Sequence, residues 1–150
     1  MWIKRFFENK MGNLAAVRPV LVVTGARQVG KTSLLQKIFP AHRFVSLDLP
    51  SDAALAENEP EEFFRRNPPP VLIDEVQYAP KLFRHLKRVV DSKRASKGQF
   101  ILTGSQKFTL MKEVSDSLAG RAEILELEGL SVAEIQGTLG DDLQLDEIMM

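Results

Sequence analysis

Gly25-Ala26-Arg27-Gln28-Val29-Gly30-Lys31-Thr32 sets two glycines, a lysine and a hydroxyl at the spacing G-x-x-x-x-G-K-T. That spacing suits one chemistry, the cradling of a polyphosphate. Glycine permits a tight loop whose backbone N–H groups converge on an anion, and a helix N-terminus behind the loop adds its positive dipole end. The lysine then reaches the β- and γ-phosphates, and the Thr32 hydroxyl can take a coordination position on Mg²⁺. Nucleotide contacts are therefore expected from Gly25, Ala26, Arg27, Gln28, Val29, Gly30, Lys31, Thr32 and Ser33. Arg27 is the exposed member by sequence logic and can serve either nucleotide or a partner. The bland alternative is a glycine-bearing strand–helix turn. Context argues against it, because Val20-Leu21-Val22-Val23 reads as a buried strand entering the loop and Ser33-Leu34-Leu35-Gln36-Lys37-Ile38 as the helix leaving it. A nucleoside triphosphate is the expected ligand.

A second set of chemical groups follows the apolar run Val71-Leu72-Ile73, which ends in Asp74-Glu75. Carboxylates at the carboxyl end of a buried strand lie where ligands of open α/β sheets bind. Asp74 is expected to hold Mg²⁺ through a water and so to pair with Thr32 across the metal. Glu75 is placed to polarise a water for in-line attack on the γ-phosphorus, as general base. The alternative is that this pair only caps the segment before Ala79-Pro80. Another strand closes with Leu102-Thr103-Gly104-Ser105-Gln106, where a hydroxyl or amide can orient the attacking water or touch the γ-phosphate. Ser105 is equally a sound helix N-cap. Arg121 can stabilise charge on the transferring phosphoryl group, or simply pair with a carboxylate. His42 and His85 have no companion ligand at metal spacing, so surface or structural roles are expected for both.

The elements that must position these groups alternate as strands and helices, the pattern of an α/β fold with a parallel sheet. Five strands are expected, near Pro19–Thr24, Arg43–Leu49, Val71–Asp74, Gln99–Thr103 and Arg121–Leu127. Helices begin near Lys31, Ser51, Pro80 and Ser105, with Pro60 dividing the second into two pieces. Pro68-Pro69-Pro70 stops that helix and forces an extended approach to the third strand. Strands one, three and four are continuous apolar runs, as expected for strands covered on both faces. Strands two and five alternate, which suits edges with one solvated side. The expected order is 5-1-4-3-2.

At 150 residues the chain fits one domain with a real core. Formal net charge is zero and there are no cysteines. The first removes a global field toward nucleic acid or anionic membrane, and the second excludes disulfides and thiolate metal sites. Met1-Trp2-Ile3-Lys4-Arg5-Phe6-Phe7 is too short and too charged for a secretion signal, and no run reaches membrane-spanning length. A cytoplasmic location without a membrane partner is expected. Charge is nonetheless uneven. Every charged residue beyond Arg121 is acidic, while Lys81 to Lys97 carries seven basic residues against Asp91 alone. Leu82, Leu86, Val89 and Val90 point that helix toward a core and its basic side chains outward. Nucleic-acid binding along the basic face is weakly supported, since aromatic interleaving is lacking; a solvated face is the expected outcome.

Thr24 to Thr32, Ile73-Asp74-Glu75-Val76-Gln77, Leu102-Thr103-Gly104-Ser105 and Leu118-Ala119-Gly120-Arg121 together resemble the prokaryotic AAA-superfamily P-loop ATPases. More narrowly, the chain resembles those that join an N-terminal AAA-type core to a C-terminal domain of poorly known function. The resemblance implies a P-loop NTPase three-layer sandwich that uses ATP and Mg²⁺. It puts Lys31 and Thr32 at the Walker A positions, Asp74 and Glu75 at Walker B, and Ser105 near the first sensor. It also implies a longer protein: residues 1–130 form the core, and the acidic segment 131–150 holds at most the start of a lid. The leading expectation is a Mg²⁺-dependent ATPase core, coupled to an unknown protein partner or to self-association. A nucleotide-dependent interaction module with little intrinsic hydrolysis is a second reading. A small-molecule kinase is a third, and a water-activating glutamate argues against it.

Overall fold

Runs of branched apolar residues account for the centre of the molecule. The computed structural model describes residues 2–25, 31–92 and 96–126. Within it Val20–Thr24 (β1), Val71–Asp74 (β3) and Phe100–Gly104 (β4) are buried at every position. Strands covered on both faces need apolar residues in succession rather than at alternate places. Arg43–Ser46 (β2) and Ala122–Glu126 (β5) keep exposed residues and form the edges. All pairings are parallel in the order β2-β3-β4-β1-β5, which is the expected 5-1-4-3-2 read from the other edge. The second strand stops earlier than expected. Asp48 N–H donates to Ser46 Oγ, which turns the chain out of the sheet before Leu49.

Six helices cover this sheet among the described residues. They are Trp2–Val17 (α1), Lys31–Ile38 (α2), Pro50–Asn58 (α3), Pro60–Arg66 (α4), Lys81–Ser92 (α5) and Lys107–Ser117 (α6). Pro60 does divide the second helical region, and both α3 and α4 open on a proline, whose missing N–H is no loss at a first helical position. On one face Val22, Ile73 and Leu102 pack with Phe63, Phe83, Leu86 and Leu110 of α4, α5 and α6. On the other, Leu21, Val23, Leu72 and Ile101 pack with Met11 of α1 and Leu34 and Leu35 of α2. Each such side chain contributes about 1.5–3 kcal/mol by leaving water. The layers are therefore helix, sheet, helix.

The helix α1 has no counterpart in the sequence-based expectation. Met11, Leu14 and Ala15 fall three and four residues apart on one helical stripe, which packs Met11 and Leu14 with β1 and α2 and buries Ala15 beside Gly98.

Candidate functional site

Strand register assembles the polar cluster at the carboxyl end of the sheet. Val45, Ile73 and Leu102 lie side by side, and their side chains face the α3–α6 layer. One residue further along each strand the side chains turn to the opposite face. There Ser46 lies beside Asp74, and Val23 beside Thr103. This is the face on which α2 begins, so Thr32 meets the row from above.

Asp74 takes hydroxyl protons from three elements. Thr32 and Thr103 donate to Oδ1 at 2.9 and 2.5 Å, and Ser46 donates to Oδ2 at 3.1 Å. The residue is 8% exposed, so its carboxylate has left bulk water. Among the described residues its side-chain donors are all neutral. They fix its geometry and leave its charge uncancelled, which favours an arriving cation. Thr32 has a single hydroxyl proton and gives it to Asp74, so its oxygen lone pairs remain for another partner.

Glu75 is 3% exposed and adopts the left-handed conformation, with φ 55° and ψ 49°. Its Oε2 accepts from Gln77 Nε2 at 2.6 Å and from Ser105 Oγ at 3.1 Å. Its backbone N–H donates to Thr103 Oγ1 at 3.3 Å. A 3₁₀ turn, Val76–Tyr78, follows without any side-chain cap, so capping does not account for the acidic pair. The loop entrance is tied to the same edge, where Gly25 N–H donates to Gly104 O at 3.2 Å. Ala26, Arg27, Gln28, Val29, Gly30 and the Lys31 side chain lie outside the described residues. Ser33 is exposed in the first turn of α2.

Two expectations are corrected. Ser105 is not the N-cap of α6. Gln106 occupies that position without a side-chain cap bond, and the Ser105 hydroxyl turns to Glu75 instead. Arg121 does not join the cluster in its own chain. It precedes β5 at the amino end of the sheet, about 16 Å along the strand from the loop edge at 3.3 Å per residue. There Nε and Nη2 donate to Asp91 at 2.6 and 3.1 Å, and this carboxylate raises the guanidinium pKa above its ordinary value. Sequence reasoning also missed Ser46 and the bonding of Gln77. Ser46 had a usable signal, since it ends its strand as Asp74 ends the neighbouring one. Nothing in the residue order shows where an amide two positions beyond Glu75 will point.

The histidines stay apart from this cluster. His42 Nε2 lies 2.7 Å from Gly98 O. His85 stacks on Phe64 at 5.7 Å, and burial together with Arg88 lowers its pKa against the opposing pull of Glu61. Glu62 is held down to about 2 by hydrogen bonds from Arg65 and Arg66. Along α5, Leu82, Leu86 and Val90 are buried with Phe83, while Val89 packs from the margin. Its basic face does not stand alone. Lys81 and Arg84 share a groove with Glu113 and Asp116, and Arg88 shares one with Glu59, Glu61 and Glu62.

A family model described as an AAA domain matches residues 17–136. The chain belongs to the AAA domain family, as a P-loop ATPase core. It is 35% identical over 135 residues to uncharacterized proteins of Mycobacterium tuberculosis and Mycobacterium bovis, a match that covers 85% of this chain and 29% of each relative. The chain thus spans less than a third of those relatives. Its fold is shared with a DNA replication initiation factor, at TM-score 0.57 and 19% identity over 93% of this chain and 49% of that one. It is shared also with AMPPCP-bound DnaA from Aquifex aeolicus, at TM-score 0.54 and 23% identity over 83% and 45%. Among the described residues no helix is long and apolar enough to cross a membrane.

Proposed function

We propose that this chain is the catalytic core of a Mg²⁺-dependent enzyme that hydrolyses ATP to ADP and phosphate. One observation carries the reading: the 2.9 Å hydrogen bond from Thr32 Oγ1 to Asp74 Oδ1. It joins the residue behind the loop lysine, in the first turn of α2, to a buried carboxylate 42 positions away at the end of β3. Thr32 would hold Mg²⁺ through its oxygen and Asp74 through a water. One carboxylate and one hydroxyl, completed by phosphate oxygens and water, suit an ion that dehydrates reluctantly. When bound, Mg²⁺ neutralises charge on the β- and γ-phosphates.

The chain's own residues supply the rest. Loop amides from Gly25 to Ser33 and the Lys31 ammonium bind the phosphates. Glu75 accepts a proton from the water that attacks the γ-phosphorus, and Ser105 fixes that carboxylate. The AMPPCP in the structurally similar DnaA supports an adenine nucleotide. Hydrolysis would be coupled to a protein partner or to self-association through parts of a longer protein, in the cytoplasm.

Phosphate release from Mg²⁺-ATP tests this reading. Lys31→Ala should lose most nucleotide affinity. Glu75→Gln should bind ATP as before and turn over about 10²-fold more slowly or worse, the scale of a lost general base. Equal phosphate release from the unaltered chain and Glu75→Gln would overturn it.

A further inference from the structure

We infer that Gln77 is a positioning residue, holding the Glu75 carboxylate in place for its reaction. The inference rests on the reading of Glu75 as general base and extends it to a side chain with no part in the scheme above. Gln77 is 7% exposed. Both amide protons are engaged, one with Glu75 Oε2 at 2.6 Å and one with Ser105 Oγ at 3.3 Å. Ser105 in turn donates to the same Oε2. The three side chains close a ring in which two bonds converge on one carboxylate oxygen and the third ties their donors together.

The other end of the amide makes the point sharper. Gln77 Oε1 is buried and has no hydrogen-bond partner among the described residues. Its orientation is forced, since only the NH₂ end can face a carboxylate oxygen. An unpaired buried acceptor is destabilising, because it has lost water without gaining a donor. A methionine of similar volume would avoid that cost, so the amide is accounted for by what it does to Glu75.

A Cβ at Gly104 would clash with Leu110 Cδ1 and come to 2.5 Å from Gln77 Oε1. Strand β4 therefore ends in glycine to admit both side chains. Glu75 itself is in a left-handed conformation that an L-residue adopts only at a cost. Without the ring, that carboxylate has less to keep it at the strand end.

Gln77→Met tests the inference because it keeps volume and removes the amide. In the full chain, kcat for ATP should fall about tenfold to hundredfold, the scale of a misplaced catalytic group. Affinity for a non-hydrolysed ATP analogue should stay within about twofold, because the phosphate loop is untouched. The double variant Glu75→Gln, Gln77→Met should turn over no more slowly than Glu75→Gln alone, since Gln77 acts through Glu75. Wild-type kcat in Gln77→Met, a parallel loss of affinity, or multiplied losses in the double variant would each overturn the proposal.

A readout independent of turnover is the Gln77 side-chain amide in a ¹⁵N NMR spectrum of the nucleotide-free chain. Its protons should be shifted from the free-amide position and return toward it in Glu75→Ala. A free-amide position in the unaltered chain overturns the proposal. If the unaltered chain releases no phosphate, the hydrolytic reading falls, and the amide shift still decides whether Gln77 holds Glu75.

Discussion

At the amino end of the sheet Asp91 meets Arg121 at 2.6 Å and Glu123 meets Arg18 at 3.3 Å, all with side chains partly open to water. At the carboxyl end Asp74 is buried among Thr32, Thr103 and Ser46, and Glu75 is buried against Gln77 and Ser105. The first two carboxylates meet full positive charges. Asp74 at the other end is oriented by three hydroxyls, which determine direction without cancelling its charge. Exposed ion pairs add little to stability, because water already solvates both partners. A buried carboxylate held only by neutral donors is expensive and is therefore tolerated where a cation completes it. The same sheet thus ends in a settled edge and in an edge prepared for a ligand.

Asp74→Asn breaks this comparison most severely. Phosphate release should fall about a hundredfold or more, the magnitude expected when a charge-stabilising group is lost. The nucleotide-free chain should unfold at a higher temperature, because an uncompensated buried charge is gone while the side-chain shape remains. Calorimetry with and without Mg²⁺-ATP measures both signs. A lower midpoint in the nucleotide-free variant would mean that the carboxylate supports the fold rather than straining it.

Gly104→Ala should act next in size. Its Cβ would press on Gln77 Oε1 and the Leu110 side chain. Overpacking of this kind costs about 1–3 kcal/mol, which denaturant unfolding reads directly. Turnover should drop with it, since the amide beside Glu75 must shift. An unchanged unfolding midpoint would show that this edge has more room than the structure gives it.

Arg121→Ala sharpens the contrast by doing least. The Asp91 pair lies at the opposite edge, so nucleotide affinity and phosphate release of the single chain should match the unaltered protein. Its thermal midpoint should move by a few degrees at most. A large loss of turnover would mean that Arg121 reaches a phosphate site other than that of its own chain.

The architecture was open to sequence reasoning wherever physics repeats over several residues. Unbroken apolar runs at Val20-Leu21-Val22-Val23, Val71-Leu72-Ile73 and Phe100-Ile101-Leu102 marked the central strands, and the parallel order follows as expected. Asp74 and Thr32 could be paired in advance because each closes or follows a motif with its own chemistry. Ser46 and Gln77 could not be reached so directly. Their roles depend on register and on the direction of a side-chain amide, which single positions do not encode. Ser105 was ambiguous for a related reason: a hydroxyl before a helix can accept from its first N–H groups or turn elsewhere, and here it accepts from Gln77 and donates to the buried Glu75 carboxylate. Arg121 was set rightly at the start of the fifth strand, and of its two open roles the structure shows the pairing with a carboxylate, Asp91.

The family match begins at residue 17, yet α1 lies before it and supplies Met11, which is fully buried. Gly98 at φ 64° fastens the helix's far end, its N–H donating to Arg18 O at 2.9 Å. A protein trimmed to the limits of that match would lose Met11 from the cluster that holds Leu21, Leu72 and Ile101, on the face that also bears Asp74. For anyone choosing where to attach a tag or begin an expression vector, the working unit starts ahead of the recognisable one.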